Sequence, residues 1–129
     1  MRLLLDTHAL IWFLAADRRL GAPARGLIES PENTAMISIV SLWEIALKSR
    51  LGKLQIDFGA VLDAVGKTDF VSLDLKERHL RALSALPSVP EHRDPFDHLL
   101  IAQARSEDLV FLSSDPRVRN YPVRFEACS

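Results

Sequence analysis

The stretch Arg2-Leu3-Leu4-Leu5-Asp6-Thr7-His8 decides the fold. Three consecutive leucines form a run that is short and apolar on both faces, the pattern of a strand buried between two layers. Strands of that kind belong to parallel sheets covered by helices on each side. Asp6 stops the run, so the strand delivers a carboxylate to the edge of the sheet. In open α/β sheets that edge is where ligands bind. The pattern returns in Val110-Phe111-Leu112-Ser113-Ser114-Asp115, a second apolar run closed by an acid.

Outward from these two runs, apolar period and turn residues predict strands alternating with helices. Strands are expected at 2–5, 34–39, 70–73 and 110–113, with a short fifth at 123–125. Helices are expected at 9–15, 23–28, 41–50, 58–65, 76–86 and 94–107. Pro23 suits a first helical turn, where its missing N–H costs nothing. Gly52 suits the end of the third helix. In the fifth, Leu80, Leu83 and Leu86 are spaced for one buried face. Such alternation implies right-handed βαβ units and a mostly parallel central sheet with helices on both faces. No repeat, low-complexity tract or linker divides residues 1–129, which read as a single domain.

Two further acids stand at corresponding places, Glu44 in Ser41-Leu42-Trp43-Glu44 and Asp97 in Asp94-Pro95-Phe96-Asp97. Each acid has an ordinary structural use. Asp6 can cap a helix N-terminus, and Ser41 with Glu44 matches the reciprocal capping box. Asp94, Pro95 and Asp97 fit the cap, first and third helical positions. Asp115 suits a turn. Four at strand ends or helix starts call for more, because converging carboxylates repel unless a cation lies among them. Mg²⁺ and Mn²⁺ are the hard divalent ions that oxygen donors suit. A carboxylate-held ion supports phosphoryl chemistry by polarising the phosphate and activating water.

Competing chemistries lack their signatures: there is no Gly-rich phosphate loop, His-Glu-x-x-His string or Gly-x-Ser-x-Gly elbow. The histidines (His8, His79, His92 and His98) fall in no metal-ligand spacing. His8 and His98, neighbours of site acids, read as surface or supporting groups. Trp12, Phe13 and Trp43 read by default as core. A net charge of −1 gives no global attraction to nucleic acid. Lys48, Arg50, Lys53, Arg93, Arg117 and Arg119 nonetheless flank the site acids and could pair with phosphates. The only cysteine, Cys128, permits neither an internal disulfide nor a zinc-type spacing, as suits a reducing cytoplasm. Asp6 and His8 interrupt what would otherwise resemble a signal peptide, and no stretch is long enough to span a bilayer.

Four motifs together resemble the PIN-domain ribonucleases, specifically the VapC-type toxins of bacterial toxin–antitoxin pairs. They are Leu4-Leu5-Asp6-Thr7-His8-Ala9-Leu10-Ile11-Trp12; the segment from Ser38 to Lys48 with Trp43-Glu44-Ile45-Ala46; His92-Arg93-Asp94-Pro95-Phe96-Asp97-His98 running on to Ala104; and Leu112-Ser113-Ser114-Asp115. The resemblance spans essentially the whole chain. It implies a three-layer α/β/α fold with four or five central strands. It places the metal-site and catalytic acids at Asp6, Glu44, Asp97 and Asp115, with Asp94 as accessory. It also implies dependence on Mg²⁺, with Mn²⁺ substituting, cleavage of RNA, homodimerisation, and inhibition by a cognate VapB-type antitoxin. Ser113-Ser114 departs from the Thr often found before the final Asp in that family.

Two other readings are open to the same pattern. A receiver-type signalling domain also binds Mg²⁺ at strand ends, but it needs paired acids after the first strand and a late lysine. Asp6-Thr7 lacks the pair, and no lysine follows Lys76. A catalytically silent binding module would keep the fold without the chemistry. The presence of all four acids favours the enzyme.

Overall fold

The computed structural model describes residues 1–129. Its five strands are β1 (Arg2–Leu5), β2 (Thr34–Ser38), β3 (Val71–Leu73), β4 (Val110–Ser113) and β5 (Phe125–Ala127). They form one sheet in the order β3-β2-β1-β4-β5, every pair parallel. The helices are α1 (Thr7–Leu14), α2 (Ala22–Glu29), α3 (Ile39–Arg50), α4 (Phe58–Gly66), α5 (Glu77–Ser84) and α6 (Pro95–Ser106), and a 3₁₀ turn follows at Pro116–Asn120.

The leucine run of β1 divides as a two-faced strand should, because successive side chains point to opposite sides. Leu3 and Leu5 enter one core cluster with Leu10, Ala24, Val61 and Leu112. Leu4 enters the other with Leu100, Ile101, Phe111 and Tyr121. Helices α1, α2 and α4 thus cover one face and α6 the other. Helix α3 reaches both, through Ile45 on the first and Val40 on the second. The result is the expected three-layer α/β/α arrangement. No helix is long and apolar enough to cross a membrane.

The strand order reverses direction at β1, since the chain goes first to β2 on one side and later to β4 on the other. A crevice opens at such a switch point, outside the C-terminal ends of the strands. Asp6 leaves β1 there, and Ser114 and Asp115 leave β4 beside it. The Asp6 backbone N–H donates to the Leu112 carbonyl at 2.9 Å, which keeps the two exits in register.

Several boundaries differ from the sequence expectation. Helix α3 starts at Ile39, capped by the Ser38 hydroxyl, which accepts from the Val40 N–H. Glu44 therefore lies inside the helix, and Ser41 and Glu44 form no capping box. Leu83 and Leu86 pack on the core as expected, but Leu80 is 48% exposed; the fully buried residue of α5 is His79, whose Nε2 lies 2.7 Å from Glu107 Oε2. Trp43 is 54% exposed rather than core. Strand β5 pairs through Phe125 to Ala127, two residues later than expected. Helix α3 ends as anticipated, with Gly52 at φ 75°, a conformation glycine adopts without Cβ strain.

Candidate active site

Asp6 caps α1 and ties it to β4. Its Oδ1 accepts from the Ala9 N–H at 2.7 Å. Its Oδ2 accepts from the Ser113 hydroxyl at 2.7 Å and the Ser114 N–H at 3.1 Å. Ser113 thus supports Asp6 directly. Burial raises the Asp6 carboxyl above its ordinary range despite these donors. Thr7 reaches across to α3, donating to Glu44 Oε1 at 2.6 Å and lying 3.1 Å from the Ser41 hydroxyl. Glu44 Oε2 meets Lys48 Nζ at 2.5 Å, one helical turn on. Burial works to lower Lys48, but the Glu44 carboxylate outweighs it and raises the ammonium's pKa, with help from Asp94 and Asp97.

The third group comes from α6 and the loop before it. Asp94 caps the helix, accepting from Phe96 N–H at 2.9 Å and Asp97 N–H at 3.4 Å. Asp97 Oδ2 lies 3.1 Å from Nε2 of the buried His92, and Asp115 Oδ2 lies 3.6 Å from that nitrogen. His92 Nδ1 meets the Tyr121 hydroxyl at 3.1 Å. Burial and the neighbouring charge of Asp94 push Asp97 up to about 6, with Asp6 adding to the rise. The Arg117 guanidinium clasps Asp115 through Nη2 at 2.6 Å and Nε at 3.0 Å and holds it below the usual carboxylate range.

Four distant segments therefore meet at the switch point, but unequally. His92, Asp97 and Asp115 offer donor atoms within 4.8 Å of one another. Asp6 bears on Asp97 electrostatically, whereas Glu44 is engaged by Thr7 and Lys48 beside the group. The donor set suits a hard divalent ion, since carboxylate oxygens predominate. His92 was not foreseen as a member. A histidine two residues before Asp94-Pro95 carries no ligand spacing, and only the packing of its loop on Tyr121 reveals it.

A model of the PIN-domain family matches residues 3–123. This chain belongs to the PIN-domain family. The PIN fold is shared along the full chain with the structure of VapBC2 from Rickettsia felis bound to a promoter DNA fragment. There the TM-score is 0.78 at 16% identity, covering 100% of both chains. DNA-bound VapBC from Salmonella typhimurium gives a TM-score of 0.70 at 16% identity, covering 100% of this chain and 99% of that one. FitAcB from Neisseria gonorrhoeae gives 0.66 at 18%, covering 95% of each. No curated protein sequence matches.

Two outcomes follow from the geometry of this PIN domain. Asp94→Ala removes a cap and should cost about 1 kcal/mol of stability in a denaturant titration. It should also let the Asp97 carboxyl fall toward its ordinary value, as followed by NMR. Arg117→Ala removes the cation that now engages Asp115. Mn²⁺ affinity, measured by calorimetry, should rise roughly three- to ten-fold, the scale of one charge-assisted contact.

Proposed function

We propose that residues 1–129 act as one domain, a divalent-metal-dependent endoribonuclease serving as the toxin of a VapBC-type toxin–antitoxin pair. The observation that supports this reading is that His92, Asp97 and Asp115 offer donor atoms within 4.8 Å of one another, with Asp6 near enough for its charge to help raise Asp97. Asp6, Glu44, Asp97 and Asp115 would hold Mg²⁺ or Mn²⁺, with Asp94 accessory and His92 adjoining. Bound there, the ion supplies charge stabilisation for a phosphoryl group and a water of lowered pKa.

The chain's own residues supply position. Ser113 and the Ser114 N–H fix the Asp6 carboxylate, and the Asp94 cap fixes the first turn bearing Asp97. Lys48 and Arg117 place positive charge beside the acids, where an RNA phosphate would lie. Trp43, with Phe96 edge-on at 4.8 Å between ring centroids, offers an exposed face on which an unpaired base can stack. An apolar groove between α1 and α4, lined by Ile11, Leu14, Ile56, Ala60 and Val61, would take apolar side chains of a VapB-type antitoxin. A homodimer acting in the cytoplasm completes the proposal.

Brief induction in cells, followed by mapping of new RNA ends, tests it. The intact protein should generate defined ends that Asp6→Asn does not, and co-expressed antitoxin should suppress them. Identical ends from both proteins, or none from either, would refute the reading.

A further inference from the structure

On the far side of His92 from Asp97, a cleft of about 530 Å³ opens between the α5–α6 loop and Tyr121. Its apolar side is Leu83, Leu86 and Val89, packed on the second core cluster. Its other side is the half-buried His98 ring, backed by the buried His92 and Tyr121. His92 meets His98 edge-on at 5.0 Å and Tyr121 at 5.5 Å between ring centroids. The His98 Nε2 is engaged by the His92 carbonyl at 2.6 Å, which fixes that ring. Pro87 and Pro90 stiffen the rim by locking φ. Arg93 stands exposed there, its Nε donating to the Pro90 carbonyl at 3.1 Å and its terminal nitrogens left for a ligand.

One imidazole separates this cleft from the acids, since His92 touches both. This partly apolar cleft has the half-buried His98 ring in its wall, backed by the buried His92 and Tyr121, and a planar cation at the rim. That matches how proteins hold unpaired RNA bases, by packing on their faces and hydrogen bonding to their edges. A guanidinium carries donors only. Guanine presents two acceptors, N7 and O6, side by side; adenine replaces the second with a donor, and pyrimidines lack N7. We infer that this cleft holds an unpaired guanine next to the scissile phosphate and that Arg93 reads it. The inference rests on the nuclease reading above and adds to it a specificity determinant.

The test compares short single-stranded RNAs that differ only at the nucleotides flanking the cut, in Mn²⁺. Wild-type kcat/KM should favour guanine over adenine at one of these positions by roughly ten- to hundred-fold, the scale of one bidentate base contact. Arg93→Met should bring that ratio near one, mainly through KM. Ser88→Trp, an exposed position lining the cleft, should raise KM for all these RNAs. Both variants should keep the wild-type thermal midpoint and Mn²⁺ affinity. No flanking-base preference in the wild type, or a guanine preference that survives both variants, would overturn the assignment while leaving the nuclease reading intact. Should the wild type cut no RNA, NMR titration with guanosine monophosphate separates the two. Shifts at His98 and Tyr121 that exceed those given by adenosine monophosphate would keep the guanine cleft as the nuclease reading fell; unmoved rings would end both.

Discussion

Asp97→Asn should lower RNA cleavage roughly hundred- to thousand-fold, the scale of losing one charge-stabilising group from an active site, while making the metal-free fold more stable. The two effects share one cause. Burial and the charges of Asp94 and Asp6 lift Asp97 from 3.8 to about 6, so the ionised form is disfavoured when no ion is bound. Because the folded state holds this proton more tightly than the unfolded one, Asp97's contribution is fully present below about pH 4. It is lost as pH rises through about 6. Above that, the asparagine variant avoids a penalty of at most about 3 kcal/mol. The difference between the two stability curves should therefore open between about pH 4 and 6 and then level off. Carboxylates held low, such as Asp115, push the opposite way in both proteins and cancel from that difference. Saturating Mn²⁺ at pH 7.5 should stabilise the wild type, by about 2.7 kcal/mol at a hundred times Kd, and stabilise the variant much less. A variant that cleaves normally, or that is less stable at neutral pH, would remove Asp97 from the centre of the site.

Phe111→Ala should cost about 3–5 kcal/mol, a large share of the 5–15 kcal/mol that holds a domain of this kind together. Phe111 is fully buried in the interior strand β4, opposite Leu4 in register and packed in the cluster that carries α6. Its loss leaves a cavity beneath the helix bearing Asp97. By calorimetry the unfolding midpoint should fall by roughly 10–20 °C, and cleavage at 25 °C should fall in proportion to the folded fraction. A midpoint shift under about 3 °C would mean that this face of the sheet packs differently.

The apolar runs made the fold legible. Strands β1 and β4 fall where Arg2–Leu5 and Val110–Ser113 place them, because a two-sided apolar run ended by an acid leaves few alternatives. The start of α3 was not legible, since Ser38 and Ser41 are both good caps and only the pairing of β2 with β3, which holds Ser38 in the sheet, selects the first. Leu80 misled for a related reason. Leu83 and Leu86 do pack on the core, but contacts from Gln103 and Glu107 to His79 centre the inward face on His79 and Leu83, leaving Leu80 at its edge.

At the site, the sequence pointed to Asp6, Glu44, Asp97 and Asp115, and the folded chain brings them to one end of the sheet. Their inequality was hidden. That Glu44 is engaged by Thr7 and Lys48, and Asp115 by Arg117, depends on side-chain distances that no motif encodes. His92 is the clearest case. Its burial arises from a proline-bounded loop folding against Tyr121, a contact between residues far apart in the chain.

The central claim is that these separate segments build one cation site, and anomalous scattering from a crystal soaked in Mn²⁺ tests it most directly. The account predicts a peak within roughly 2.5 Å of carboxylate oxygens from at least two of Asp6, Asp97 and Asp115, with the Arg117 guanidinium displaced from Asp115. Manganese found only at surface carboxylates, with the Arg117–Asp115 pair intact and the space among the three acids empty, would contradict it.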